Sequence, residues 1–178
     1  AEKSDGSDIY VVFDGAGGDD LPDNIALQKL GAELGAKVFD ARAVVGAPID
    51  DAMAYIMERL AVNPSARVYL FGYSAGGNAA IALANSLHGR GIPAQGLATF
   101  DPHHHMRLMG ASRYSVENNV GQALNFYQTS ANPFKGGQIN GVFGSDPNIN
   151  LSGVVTHLDV VRYASRNHRD EILSVLGR

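Results

Sequence analysis

The chain has 178 residues, 45% apolar and 18% charged, with 21 Gly and 7 Pro, which is the composition of one globular domain and excludes a disordered or collagen-like polymer. Fourteen Lys and Arg against 18 Asp and Glu leave a formal charge of −4, and no basic cluster or aromatic-studded basic stripe interrupts the chain, so nucleic acid is not an expected partner. With no cysteine, disulfides, thiolate metal sites and cysteine nucleophiles are excluded together, and the longest apolar runs fall far short of the roughly 20 residues a membrane helix needs.

The chain opens on Ala1-Glu2-Lys3-Ser4, which suits a matured secretory protein or a chain trimmed at its start; a secreted or periplasmic location is expected over a cytoplasmic one. Residues 1–8 read as a flexible lead into a single domain spanning 1–178. Ile9-Tyr10-Val11-Val12-Phe13 is a continuous β-prone run ending in Asp14-Gly15-Ala16-Gly17-Gly18, the pattern of a buried parallel strand entering a glycine loop. Pro22 then opens a helix with Ile25, Leu27, Leu30 and Leu34 on one face, stopped by Gly35. Lys37-Val38-Phe39 reads as the next strand, and Asp50 to Leu60 as a helix with Ala52, Ile56, Met57 and Leu60 inward. Arg67 to Phe71 is predicted as a strand and Ala75 to Leu87 as an Ala-rich helix. Gly96 to Phe100 and Ala123 to Tyr127 are two more strands. Thr129 to Gly153 is loop-like, with a hairpin predicted over Gln138 to Phe143, and Leu158 to Ala164 and Arg169 to Leu176 close the chain as one helix or two. Alternation this regular predicts a mostly parallel sheet of five to six strands with helices on both faces, and a ligand site at the strands' carboxyl ends. No repeat or linker divides the chain.

Gly72-Tyr73-Ser74-Ala75-Gly76 fits G-x-S-x-G, with a strand ending before it and a helix starting after it, so Ser74 falls on the strand-to-helix turn. A serine that merely caps the helix is the plainer alternative. A serine hydroxyl needs a base and an orienting acid to become nucleophilic. Asp101 directly follows a strand, at the same sheet edge as Ser74, and His157 comes just before the closing helices. Asp146 and Asp159 are rival acids; Asp159 lies too near His157 in sequence and is expected to serve the helix N-terminus. His103-His104-His105 is not expected to bind metal, because adjacent side chains point apart. His103 and Met106 are instead expected at the rim of the site, and His88 and His168 at helix ends.

On these residues the chain resembles the α/β-hydrolase superfamily, over the run from Ile9 to the final helix, lacking the first two strands of the family's full sheet. Phe100-Asp101-Pro102 looks like the acid placement of the pancreatic-lipase-like branch. Cutinases share the glycine-serine elbow but carry disulfides and an acid nearer the histidine. The resemblance implies Ser74 as nucleophile, Asp101 as acid and His157 as base, with no cofactor. An oxyanion hole is expected from the N–H of Ala75 and of Ala16 in the first glycine loop, with Gly15 as second choice, although such loops also occur as plain turns. Tyr73, His103, Met106, Phe134 and Phe143 are the expected substrate contacts, within a wall drawn from Phe134, Ile139, Val142, Phe143 and Leu151. The activity implied is hydrolysis of carboxylic esters, in small molecules, lipids or polymers. A thioesterase, a non-catalytic module of the same shape and a flavodoxin-like phosphate binder are the alternatives; oligomeric state is not legible.

Overall fold

The computed structural model describes residues 8–41, 48–103, 113–130 and 134–178. Three fully or almost fully buried strands form the middle of the sheet: β1 (Ile9–Asp14), β3 (Val68–Tyr73) and β4 (Ala94–Phe100). Around them lie β2 (Lys37–Asp40), β6 (Val120–Tyr127) and β8 (Asn148–Asn150), in the order β2-β1-β3-β4-β6-β8, with every neighbouring pair parallel. A parallel strand covered on both faces has no polar side, which is why β1 and β3 read as unbroken apolar runs.

Alternate residues of each strand feed two cores. Ile9, Val11 and Phe13 of β1 join one cluster with α2 (Ile49–Val62) and α3 (Ala75–His88). Tyr10 and Val12 join the other, with α1 (Pro22–Leu34), α4 (Val160–Asn167) and α5 (Arg169–Val175). This is the mostly parallel sheet of five to six strands, with helices on both faces, that the alternation of elements in the sequence implied. The chain turns one way from β1 to β2 and the other way from β1 to β3, so the order reverses at β1 and a crevice opens beyond the carboxyl ends of β1 and β3. The loop after β1 and the turn after β3 meet there. Among the described residues no helix is long and apolar enough to cross a membrane.

Several sequence expectations need correction. The hairpin over Gln138 to Phe143 does not form. Instead β7 (Gln138–Asn140) pairs in parallel with β5 (Arg113–Ser115) in a separate two-stranded sheet. The other edge of β7 is taken by a side chain: Ile139 N–H donates to Asn148 Oδ1 at 2.8 Å and Asn148 Nδ2 donates to the Ile139 carbonyl at 3.0 Å. On α1 the inward stripe is Asn24, Leu27, Gly31 and Leu34 together with Asp23 and Leu30, and Ile25 is 40% exposed. On α2 Met53 is buried in place of Met57.

Buried Asp23 also displaces Asp159 from its expected task. Asp159 stands at the N-cap of α4 but accepts hydrogen bonds from the Thr156 N–H and hydroxyl instead. The first amides of α4 are met across the fold: Val161 N–H donates to Asp23 Oδ2 at 2.8 Å and Arg162 N–H to Asp23 Oδ1 at 3.3 Å, where the Arg162 side-chain Nε also donates at 2.9 Å. Burial pushes the Asp23 carboxyl above its ordinary range, and these donors pull against that shift. The residue thus fastens α4, and the His157 segment before it, onto the first turn of α1.

Candidate active site

β3 runs straight into α3 through Ser74, whose backbone lies at φ 57° and ψ −122°, a region that side-chain-bearing residues rarely occupy. Three backbone bonds hold it there. Ser74 N–H donates to the Phe100 carbonyl at 2.9 Å, and the N–H groups of Asn78 and His103 donate to the Ser74 carbonyl at 3.2 and 3.1 Å. Gly72 and Gly76 permit the turn because a Cβ on Gly72 would overlap the backbone of Gly76. Ser74 is held in an exacting turn, which a plain helix cap does not require, and its hydroxyl makes no cap bond to α3.

Asp101 follows β4 with φ 48° and is completely buried, its N–H donating to the Phe126 carbonyl at 2.6 Å. His157 sits between them. Its Nδ1 lies 2.6 Å from Asp101 Oδ2 and its Nε2 lies 2.8 Å from Ser74 Oγ. A carboxylate only accepts, so Nδ1 carries the proton towards Asp101 and Nε2 is left to accept from the serine hydroxyl. The imidazole is boxed by three rings: Phe134 stacked at 5.6 Å between centroids, Tyr73 tilted at 5.3 Å and His103 edge-on at 5.8 Å. The Tyr73 hydroxyl donates to the His157 carbonyl at 2.6 Å, and burial, aided by the charges of Asp23, Asp101 and Asp159, pushes its pKa upward, which keeps it a neutral donor.

A cavity of about 370 Å³ opens over this group. Leu21, Tyr73, Phe134 and Leu158 form apolar walls, Ser74 and His157 lie at its base, and Ala16, Gly17, Ala75 and His103 complete it. Phe134 and Leu158 remain about half exposed, at 50% and 54%. The Ser74 hydroxyl and the His157 imidazole meet at this cavity, an arrangement able to attack a carbonyl whose apolar arm fills it.

The sequence-predicted residues divide clearly. Ser74, Asp101 and His157 come together, and Tyr73, His103, Phe134, Ala16 and Ala75 join them at the cavity. His103 N–H at Nδ1 meets the Lys135 carbonyl at 3.0 Å. Met106, with His104 and His105, lies outside the described residues. Phe143 is not brought to the cavity; it packs against the core on the α2 and α3 side, where Ile139 is buried. Val142 is 77% exposed and Leu151 belongs to the opposite core, so Phe134 alone of the predicted wall reaches the site. Among the described residues there is no group of three or more His, Asp or Glu that could hold a metal ion.

Gly15 lies beside the site with its amide committed. Gly15 N–H donates to Asn24 Oδ1 at 2.9 Å, while Asn24 Nδ2 donates to the carbonyls of Gly15 at 3.1 Å and Gly18 at 2.8 Å. Asn24 therefore grips the glycine loop from within α1 and leaves Ala16 and Gly17 as the loop residues at the cavity. Sequence reasoning passed over Asn24 because the stripe was placed through Ile25. A stripe at 24, 27, 31 and 34 has a buried polar residue in it, and that was the available signal. Gln128, one residue beyond β6 and fully buried against Asp101, was also missed.

No protein-family model matches the chain, and no curated protein sequence matches it. Among solved structures, the chain is similar to YbtT, a type II thioesterase from the yersiniabactin NRPS/PKS biosynthetic pathway, at 13% identity and a TM-score of 0.49, over 98% of this chain and 95% of that one. It is similar to Est1E from Butyrivibrio proteoclasticus at 11% identity and a TM-score of 0.43, over 94% and 88% of the two chains. An acetyl xylan esterase gives 13% identity and a TM-score of 0.44, over 96% and 99%. These likenesses are of overall fold and say nothing of this chain's substrate.

Proposed function

We propose that the protein is a serine hydrolase that cleaves carboxylic esters of small, neutral, apolar acyl groups through an acyl-enzyme on Ser74. The observation that carries this reading is the unbroken chain of short contacts from Ser74 Oγ through His157 to buried Asp101, at 2.8 and 2.6 Å. Ser74 Oγ attacks the carbonyl carbon while its proton passes to His157 Nε2, and Asp101 stabilises the imidazolium that forms. The N–H groups of Ala75, at the start of α3, and of Ala16 receive the developing oxyanion. Collapse breaks the bond to the leaving oxygen, which departs with the proton from His157. Water then attacks the acyl-serine, gives its proton to His157 Nε2 and releases the carboxylic acid, and that proton returns to Ser74 Oγ.

The cavity of about 370 Å³ lies near the lower end for small-molecule sites, and its walls offer Leu21, Tyr73, Phe134 and Leu158 but no charged side chain, which suits a short to medium apolar acyl chain. A thioester would follow the same steps with sulfur leaving. A fluorophosphonate probe, with the adduct located by mass spectrometry, tests the reading alongside nitrophenyl esters and matched thioesters of increasing acyl length. Labelling confined to Ser74, with turnover peaking at short to medium chains, is the expected result. Folded protein that neither labels nor turns over any member of the panel would return the chain to the class of non-catalytic binding modules.

Asn24 supports the same reaction at a distance. Asn24→Leu keeps the branched shape of the side chain but strips three hydrogen bonds, two of them buried, from the loop that carries Ala16. A fall in kcat of about 100-fold is expected, since small misplacements of catalytic groups cost that much. Unfolding free energy should fall by about 1–3 kcal/mol. Steady-state kinetics and denaturant titration measure the two effects, and an unchanged kcat would remove Asn24 from the machinery.

A further inference from the structure

We infer that Gln128 is a positioning residue that holds Asp101 to its task and ties it to the acyl wall of the cavity. This rests on the serine hydrolase reading and extends it to a residue that does not touch the reacting atoms.

Gln128 stands one residue beyond β6, which pairs with the strand that Asp101 follows, and is fully buried. It meets both oxygens of the acid. Its backbone N–H donates to Asp101 Oδ1 at 3.0 Å, and its side-chain Nε2 donates to Oδ2 at 2.8 Å, the oxygen that also receives His157 Nδ1–H. The second proton of the same amide goes to the Phe134 carbonyl at 2.6 Å. Both partners of Nε2 only accept, so the orientation of the amide is dictated by its surroundings. The Ser130 hydroxyl lies 3.4 Å from Oε1 at the other end.

A buried carboxylate is costly without donors, and Asp101 has three of them on two oxygens. Two come from Gln128. The segment carrying Phe134 closes over the acid: Gly136 N–H donates to the Gln128 carbonyl at 3.0 Å, and a Cβ on Gly136 would overlap the Asp101 carboxylate. Phe134 itself stacks on the His157 ring and lines the cavity. One side chain therefore spans the acid that orients the base and the wall that would hold the acyl chain. Displacing it frees Asp101 to rotate and lets Phe134 withdraw from the imidazole.

Two variants test this. Gln128→Met occupies similar space and keeps the backbone N–H on Asp101 Oδ1, but removes the side-chain donor to Oδ2 and to the Phe134 carbonyl, and kcat is expected to fall by about 10- to 100-fold. Gln128→Glu restores the donor only while the new carboxyl is protonated, because two carboxylates in contact do not both ionise readily. The titratable group in contact with position 128 is Asp101; His157 shares its Oδ2, and His103 stands edge-on to that imidazole. The ratio of Gln128→Glu activity to wild type should therefore fall at least tenfold from pH 6 to pH 9, while the ratio for Gln128→Met stays level. Thermal unfolding, followed by circular dichroism, establishes that each variant is folded. If Gln128→Met does not fold, the pH-dependent ratio for Gln128→Glu decides alone. A wild-type kcat in Gln128→Met, or a Gln128→Glu ratio that is level with pH, overturns the role while wild-type turnover leaves the hydrolase reading in place. Folded wild-type protein that neither turns over esters nor labels at Ser74 overturns both.

Discussion

Ser74→Ala should lower ester turnover by about 10⁵- to 10⁶-fold, and His157→Ala should fall equally far, because nucleophile and base act as one unit. The double variant should be no worse than either single one. Asp101→Asn should lose somewhat less, about 10⁴-fold, since it leaves the hydroxyl and imidazole present but removes the negative charge and turns one of two acceptor oxygens into a donor, so the Nδ1–H tautomer is no longer fixed. Substrate binding tells the same story from the other side. The walls formed by Leu21, Phe134 and Leu158 are untouched by Ser74→Ala, so that variant should still bind a nonreactive acyl analogue at wild-type affinity. Steady-state kinetics with isothermal titration on the folded variants would check both halves. Substantial turnover remaining in Ser74→Ala would move the nucleophile elsewhere and end the proposed mechanism, whatever the geometry of the three residues.

The parts of this molecule that were legible in sequence are those whose physics is local. β1 and β3 announce themselves because a strand buried on both faces reads as an almost unbroken apolar run, and β4 does so over Gly96 to Phe100 despite its one polar residue there, Thr99. Ser74 and Asp101 were legible because each follows such a strand, so the carboxyl edge of the sheet brings them together however the loops run. β8 was missed for the opposite reason. Asn148-Ile149-Asn150 is a short polar edge, paired along one side, and its Asn148 side chain does work that no hydrophobic pattern encodes. Phe143 and Phe134 look alike in sequence, two aromatics in one polar loop, yet one faces the core beneath α2 and α3 and the other faces His157. Only the pairing of β7 with β5 separates them. Asn24, Asp23 and Gln128 share a further kind of obscurity. Each is a polar residue made useful by burial against a partner from another element, and periodicity reports that a face is buried without reporting what meets it.

Gly76, the second glycine of the serine motif, carries the second large effect. Gly76 lies in the first turn of α3, where alanine would raise helix propensity by up to about 1 kcal/mol. A Cβ there would overlap the carbonyl oxygens of Phe13 and Asp14 at the end of β1, atoms of a central strand that has no room to retreat. Backbone against backbone relaxes only by separating the elements, and these are the two that carry Ala75 and Ala16. The overlap therefore outweighs the propensity gain. Gly76→Ala should lose about 4 kcal/mol or more of stability, at the extreme of single substitutions, with a fall in Tm of roughly 10 °C and loss of ester turnover. Gly144→Ala is the matched control, because an added Cβ there meets nothing within 4 Å and the backbone is not left-handed. Denaturant midpoints and Tm for the pair read the difference directly. A Gly76→Ala protein as stable as Gly144→Ala would mean that α3 can lift from β1 at little cost, and the serine turn would then owe its form to Ser74 and its three backbone bonds rather than to the close approach of helix and strand.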